Sequence, residues 1–187
     1  CNIILINNLK LCFENNKIDI VLHLATNYQK FTQPKDYQVL IYDNISYGIK
    51  ILEIMKIHGC KNIINISTYA QYGLGTEKYS PVNFYASTKQ AFFDLLQYFG
   101  EKELFSVINL VCYDVYGTGD KRKKIFNILN DAIKKGKNEF IMTESEQIIH
   151  LLHISDVIEG LRVAINLCLK EKYVNETFFL LNDSIKL

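Results

Sequence analysis

The feature that most constrains this chain is an apolar run without polar alternation, Ile18 to Ala25 (IDIVLHLA), followed by helical spacing rather than a hairpin turn. A strand buried on one face alternates apolar and polar residues. A near-continuous run belongs to a strand buried on both faces, the habit of parallel sheets covered by helices on each side. The pattern then repeats. Asp43 to His58 carries Ile45, Ile49, Leu52 and Met55 at helical spacing, with Gly59 as a stop. Asn62 to Ile66 (NIINI) reads as the next strand. Ser80-Pro81 reads as a helix start, proline in the first turn, for a helix through Tyr85 to Phe99 that Gly100 ends. Phe105 to Cys112 (FSVINLVC) is a third strand. Beyond it the patterns predict a helix near Lys124 to Lys134, a strand at Gln147 to Leu152, a helix from Asp156 to Leu169 with Ser155 as N-cap, and a short strand at Phe178 to Leu181.

Strand, helix, strand, helix, strand implies an α/β, doubly wound, mainly parallel sheet, with Ile18–Leu24, Asn62–Ile66 and Ser106–Val111 as neighbouring strands. The helix from Tyr85 carries two apolar stripes: Ala91, Leu95 and Tyr98, then Phe92, Leu96 and Phe99. One can face the sheet; the other needs cover from a further helix or a second subunit.

With 49% hydrophobic and 22% charged residues the chain can build a core, and a net charge of +1 offers no nucleic-acid footprint. No run approaches the ~18 apolar residues of a membrane helix, and no signal peptide is visible. Cys1, Cys12, Cys60, Cys112 and Cys168 are scattered without a CxxC pair, as buried reduced thiols of a cytoplasmic protein are. His150 and His153 lie in a strand at an odd spacing that points them to opposite faces, so no metal site is expected there.

Chemistry can sit at Tyr85 and Lys89. On a helix, residues four apart share a face, and an ammonium there favours the phenolate, lowering a phenol pKa that starts near ~10 toward general acid/base range. The YxxxK spacing alone is weak. With 12 tyrosines among many lysines, chance supplies about one match, and Tyr98 with Lys102 is a second that spans Gly100. Context separates them. Thr68 closes the strand NIINIS at the start of a polar loop (STYAQYG, Ser67 to Gly73), and open parallel sheets bind ligands at the carboxyl ends of strands. The plain alternative is that Ser67 and Thr68 cap the loop and Tyr85 is a partly buried aromatic.

Five blocks, in order, resemble the extended short-chain dehydrogenase/reductase family of nucleotide-sugar epimerases, dehydratases and reductases: IDIVLHLAT, DNISYGIKILEIMKIHGCKNIINIST, PVNFYASTK, INLVCYDVYGTGD and EQIIHLLHISDVIEGL. The resemblance implies a Rossmann-like fold, NAD or NADP as cofactor, and a nucleotide-diphosphate sugar as substrate. It also implies a homodimer through the Asp43–His58 and Tyr85–Phe99 helices. By it, Tyr85, Lys89 and Thr68 are catalytic: Tyr85 moves the proton, Lys89 holds the cofactor ribose, and Thr68 hydrogen-bonds the reacting sugar oxygen. Leu24, Ala25, Thr26, Ile66 and Ser67 join Tyr85 and Lys89 along the cofactor, while Thr68, Tyr69 and Asp114 meet the substrate. The implied function is hydride transfer at sugar C4 by an epimerase or 4-ketosugar reductase, with a weak lean to the CDP-abequose synthase-like branch. The alternatives are a non-catalytic binding or assembly module of the same fold, or a 4,6-dehydratase.

The departures bear on each. Tyr69 and Ala70 stand where dehydratases carry an Asp-Glu pair, Val111 and Ile149 where arginines are common, His150 where aspartate is common, and Asp114 in place of asparagine. No glycine precedes Gly48, so the glycine loop that cradles a dinucleotide pyrophosphate is not in this sequence. The chain is therefore expected to be one catalytic-type domain truncated at both ends, Rossmann part about 1–117 and substrate-side segments about 118–187, inactive by itself.

Overall fold

A computed structural model describes residues 8–73, 78–102, 104–120, 122, 124–136, 139, 148–181 and 184–186, with the side chains of 148, 149 and 184–186 excepted. Cys1 and Gln147 lie outside the described residues, as does the side chain of Ile149. Helix α1 (Leu9–Asn15) leads into strand β1 (Ile20–His23). A 3-10 turn at Pro34–Asp36, helix α2 (Tyr37–Ile41), a π turn at Tyr42–Ser46 and helix α3 (Tyr47–Ile57) follow without a break. Then come β2 (Asn62–Thr68), α4 (Phe84–Glu101), β3 (Ser106–Cys112), β4 (Asp114–Tyr116), α5 (Ile125–Lys134), β5 (Ile148–His153), α6 (Ile154–Lys170), β6 (Asn175–Leu180) and β7 (Ser184–Lys186).

The main sheet has the order β1-β2-β3-β6 and is parallel throughout. A smaller sheet, β4-β5-β7, pairs β4 and β5 in parallel and β5 and β7 antiparallel. The three predicted strands are neighbours as expected. β3 is buried along its whole length, which is why FSVINLVC carries no alternation. On one face of the sheet Ile63 and Val107 pack against Ile51, Leu52, Phe92 and Leu96 of α3 and α4. On the other, Ile64, Ile108 and Leu110 meet Ala164 and Cys168 of α6. Cys12, Cys60, Cys112 and Cys168 are free thiols.

Several boundaries move, each for a local reason. α4 starts at Phe84, not at Ser80-Pro81, because the Asn83 side chain accepts from the Ala86 N–H as N-cap. Ser80 instead ties the loop back, its N–H donating to Gln71 and its carbonyl accepting from Gly73. The helix runs through Gly100, which does not end it. A Cβ there would stand 2.5 Å from the Asn175 side chain, so this glycine admits β6 against the helix rather than breaking it. His153, not Ser155, caps α6, its ring accepting from the Ser155 N–H. Gly59 does stop α3, with φ +72. Phe92 and Leu96 are fully buried, whereas Leu95 and Tyr98 of the other stripe stay exposed, Tyr98 by 56%.

Gly48 sets the distance between α3 and α4. A Cβ there would lie 2.3 Å from the Phe92 ring. That close approach brings the π turn against the start of α4 and places Asn44, wholly buried, between β1's exit and Thr88.

Candidate active site

The carboxyl ends of β1, β2 and β3 open beneath the first turns of α4, and the predicted residues divide by element. Ala25 and Thr26 leave β1 and, with Asn27, Tyr28, Asp43 and Tyr47, line a cleft of about 530 Å³. Leu24 is exposed beside them, and Ile66 turns to the opposite face of the sheet, toward α6. Thr68 ends β2 level with Cys112 on β3. Tyr85 and Lys89, one turn apart on α4, are both buried.

Cys112, the cross-strand neighbour of Thr68, packs with Ile66, Leu152 and Val157, and burial pushes its thiol up to about 11. Thr68 is half-buried and its hydroxyl oxygen accepts from the Ala70 N–H at 3.3 Å. It thus performs the capping role that was the plain alternative. The Tyr85 ring packs edge-on against Tyr28, centroids 4.9 Å apart.

The electrostatics depart from expectation. Burial raises the Tyr85 phenol above its ordinary pKa; Thr26, as a hydrogen-bond partner, pulls the other way, and Tyr28 and Cys112 add to the rise. The expected lowering by Lys89 gives way to desolvation. Lys89 itself is only 4% exposed, and burial lowers it from near 10.5 to about 8. Among the described residues no carboxylate pairs with it. Three ammonium donors held dry with no carboxylate fit the hydroxyls of a ribose, so the residues present suit a dinucleotide's sugar.

Ser67 faces the α4 side of the sheet, its hydroxyl donating to Asn109 Oδ1 at 2.8 Å. Tyr69 donates to Asp114 at 3.1 Å and stacks on Tyr113, and burial holds its phenol protonated far above the ordinary range. Asp114 also takes Lys124 at 3.0 Å. The structure therefore joins Tyr69 and Asp114 directly, two of the residues expected to meet a substrate, and adds a cation beside Asp114. Val111 is fully buried, so it makes no substitute for a phosphate-binding arginine.

Asn44 was not singled out from sequence. Its Oδ1 accepts from the Thr26 hydroxyl (3.0 Å) and the Asn27 N–H (2.7 Å). Its Nδ2 donates to the Asn27 carbonyl (3.0 Å) and to Thr88 Oγ1 (2.9 Å), whose hydroxyl donates to the Tyr85 carbonyl. All four hydrogen-bonding positions of the amide are used, and they pin the cleft wall to α4. The available signal was a polar residue on the apolar side of a helix, four residues before a glycine.

A covered parallel sheet open at the carboxyl ends of its strands, with Thr68 closing β2 and Tyr85 and Lys89 one turn apart on α4, is the arrangement of a Rossmann-fold member of the extended short-chain dehydrogenase/reductase class. The chain belongs to the NAD dependent epimerase/dehydratase family, whose model matches residues 1–175. It is 31% identical over 144 residues to CDP-abequose synthase of Yersinia pseudotuberculosis, covering 76% of this chain and 50% of that protein. It is 28% identical over 163 residues to dTDP-D-glucose 4,6-dehydratase of Homo sapiens, covering 81% and 45%. Its fold matches a point mutant of the UDP-glucuronic acid 4-epimerase from Bacillus cereus, solved with NAD and a fluorinated UDP-sugar. The TM-score there is 0.82 at 22% identity, over 96% of this chain and 59% of that one. The chain spans about half the length of the curated relatives it matches.

Proposed function

We propose that this chain carries the acid/base half of an NAD(P)-dependent nucleotide-sugar epimerase or 4-ketosugar reductase acting at sugar C4. The supporting observation is that Thr68 closes β2 at the carboxyl end of the sheet while Tyr85 and Lys89, both buried, stand one turn apart at the start of α4. The cofactor supplies or accepts the hydride when bound. Tyr85 gives its proton to the C4 oxygen as the ketone is reduced, and takes it back when the alcohol is oxidised. A phenol held protonated by burial suits the reducing direction, in which it must donate. The Thr68 hydroxyl donates to the same oxygen and fixes its position. Lys89 holds the ribose hydroxyls, and Ala25 and Thr26 flank the cofactor. Tyr69 and Asp114 meet the sugar, with Lys124 neutralising Asp114 so that a diphosphate is not repelled.

Dehydration is not favoured. Tyr69 stands where the dehydratase acid would, with its proton committed to Asp114, and Ala70 offers no base. In the complete enzyme, Tyr85→Phe should lower turnover on 4-keto nucleotide sugars by about 10²–10⁴-fold, the usual scale for a general acid/base, and leave cofactor binding nearly unchanged. Full activity of that variant would refute the assignment.

A further inference from the structure

Beneath α4 the main sheet contains a row of polar residues where apolar ones would be expected. His23, Asn65 and Asn109 sit at one register level of β1, β2 and β3, and all three are essentially inaccessible to solvent. Parallel neighbours in register project to the same face at about 4.8 Å spacing. That face is the one packed on α3 and α4, because Ile63, two residues before Asn65, belongs to that core and the His23 ring lies 5.0 Å from Phe92. Phe92 is one turn beyond Lys89, and His23 interacts electrostatically with that lysine.

The row satisfies itself only at its centre. Asn109 Oδ1 accepts from Asn65 Nδ2 at 2.7 Å and from Ser67 Oγ at 2.8 Å. Among the described residues, His23 Nδ1, Asn65 Oδ1 and Asn109 Nδ2 are buried with no hydrogen-bond partner. Their directions follow from the planarity of the amide. Asn65 turns its Nδ2 toward β3, so its Oδ1 turns toward β1, where His23 stands at the same register level. Asn109 turns its Oδ1 toward β2, so its Nδ2 turns toward β6. Buried polar atoms without partners cost about 1–3 kcal/mol each, and folded proteins meet that cost with internal water.

We propose that a resident water molecule bridges His23 Nδ1 and Asn65 Oδ1, making this row an internal hydration site under the Lys89 turn of α4. Water is the ligand that fits every assignment of the protons. If His23 carries its hydrogen on Nδ1, the water accepts there and donates to Asn65. If the hydrogen is on Nε2, the water donates to both. If both asparagine amides are reversed, Asn109 Nδ2 donates to Asn65 Oδ1 and the atom facing His23 becomes Asn65 Nδ2, from which the water accepts. A cation is excluded by the lysine ammonium next to His23, and an apolar occupant would leave the orphan atoms unmet.

The test is magnetic relaxation dispersion of isotope-labelled water in solutions of the complete protein, which counts water molecules held far longer than surface water. The double variant Asn65→Leu/Asn109→Leu fills the row with apolar side chains. We expect it to lose one long-lived water relative to wild type; an unchanged count overturns the proposal. A high-resolution crystal structure of the wild-type protein decides the matter if the variant does not fold. A solvent peak within hydrogen-bonding distance of both His23 Nδ1 and Asn65 supports the site. A direct His23–Asn65 hydrogen bond, or a side chain from another segment in that position, overturns it.

Discussion

Lys89 is the group whose removal should reveal most about how this fold is balanced. Its ammonium is buried under α4 with no carboxylate partner among the described residues, and desolvation lowers its pKa from near 10.5 to about 8. At about 1.4 kcal/mol for each tenfold change in proton affinity, the charged form costs the folded state roughly 3 kcal/mol near neutral pH. Lys89→Met keeps the unbranched stem, fills nearly the same space and carries no charge, so the variant should be more stable by about that amount. The pH dependence follows from linkage. Between about pH 8 and pH 10.5 the unfolded lysine holds its proton while the folded one has lost it, so wild-type stability rises with pH across that window. The advantage of Lys89→Met should be full below about pH 8 and gone by about pH 10.5. Urea denaturation at a series of pH values measures both. A methionine variant less stable than wild type at neutral pH, or one whose advantage is the same at every pH, would show that the ammonium is solvated after all. The same variant of the complete enzyme should bind NAD(P) more weakly, a gain in stability bought with function.

Asn44→Ala should destabilise the protein by about 2–4 kcal/mol, measured by urea denaturation, because the Asn27 N–H and carbonyl and the Thr88 hydroxyl lose their partner in or beside the core; a loss under about 1 kcal/mol would mean that water replaces the amide. His23 is buried neutral, its pKa lowered from 6.5 to about 4 by burial and then by Lys89. As pH falls through that window the unfolded chain takes the proton first, so stability should decline by up to about 3 kcal/mol, and His23→Leu should flatten that decline in thermal scans across pH. The complete protein should dimerise through the exposed faces of α3 and α4, where Tyr47, Leu95 and Tyr98 stand open; light scattering showing a monomer at tens of micromolar would count against it.

The centre of the main sheet was legible because β2 and β3 are largely buried on both faces and carry near-continuous apolar runs; β1 carries such a run at the sheet's edge, where Leu22 is 40% exposed rather than buried as the run implied. The helix ends were less so. Ser80-Pro81 looks like a first turn, yet Asn83 offers a side chain that reaches the Ala86 N–H, and that local bond decides the start. Gly100 looks like a stop, yet its role is set by Asn175, far along the chain. The placement of Tyr85 and Lys89 on one helix could be read from spacing, and that of Thr68 from the strand end, but not the sense of the electrostatics around the pair. Four-residue spacing says that Lys89 and Tyr85 share a face. It does not say that the face is dry, and dryness is what raises the phenol and lowers the ammonium. Asn44 and the His23–Asn65–Asn109 row were invisible for a related reason: each needs the strand register before its partners are known.

Local rules fail here in one place. A buried lysine without a counter-ion, a π turn inside a helix, a fully bonded asparagine within it and a polar row in the middle of a parallel sheet all border the first two turns of α4. Among the described residues the rest of the core is mostly apolar, Ser106 at the start of β3 being an exception. Chance departures from good packing would scatter over the molecule, whereas a site that must hold ionisable groups away from water concentrates them where those groups stand. The π turn shows how one departure supports another. An extra residue in that turn faces Asn44 inward, Asn44 fixes Thr26 and Asn27, and Gly48 one turn later lets α4 approach closely enough for Thr88 to complete the bond. The result is a cleft wall and a catalytic-type helix held as one piece. Such rigidity is what the proposed function would demand, with hydride transfer at sugar C4 and proton transfer at its oxygen, since both depend on donor and acceptor staying within a few tenths of an ångström of their working positions.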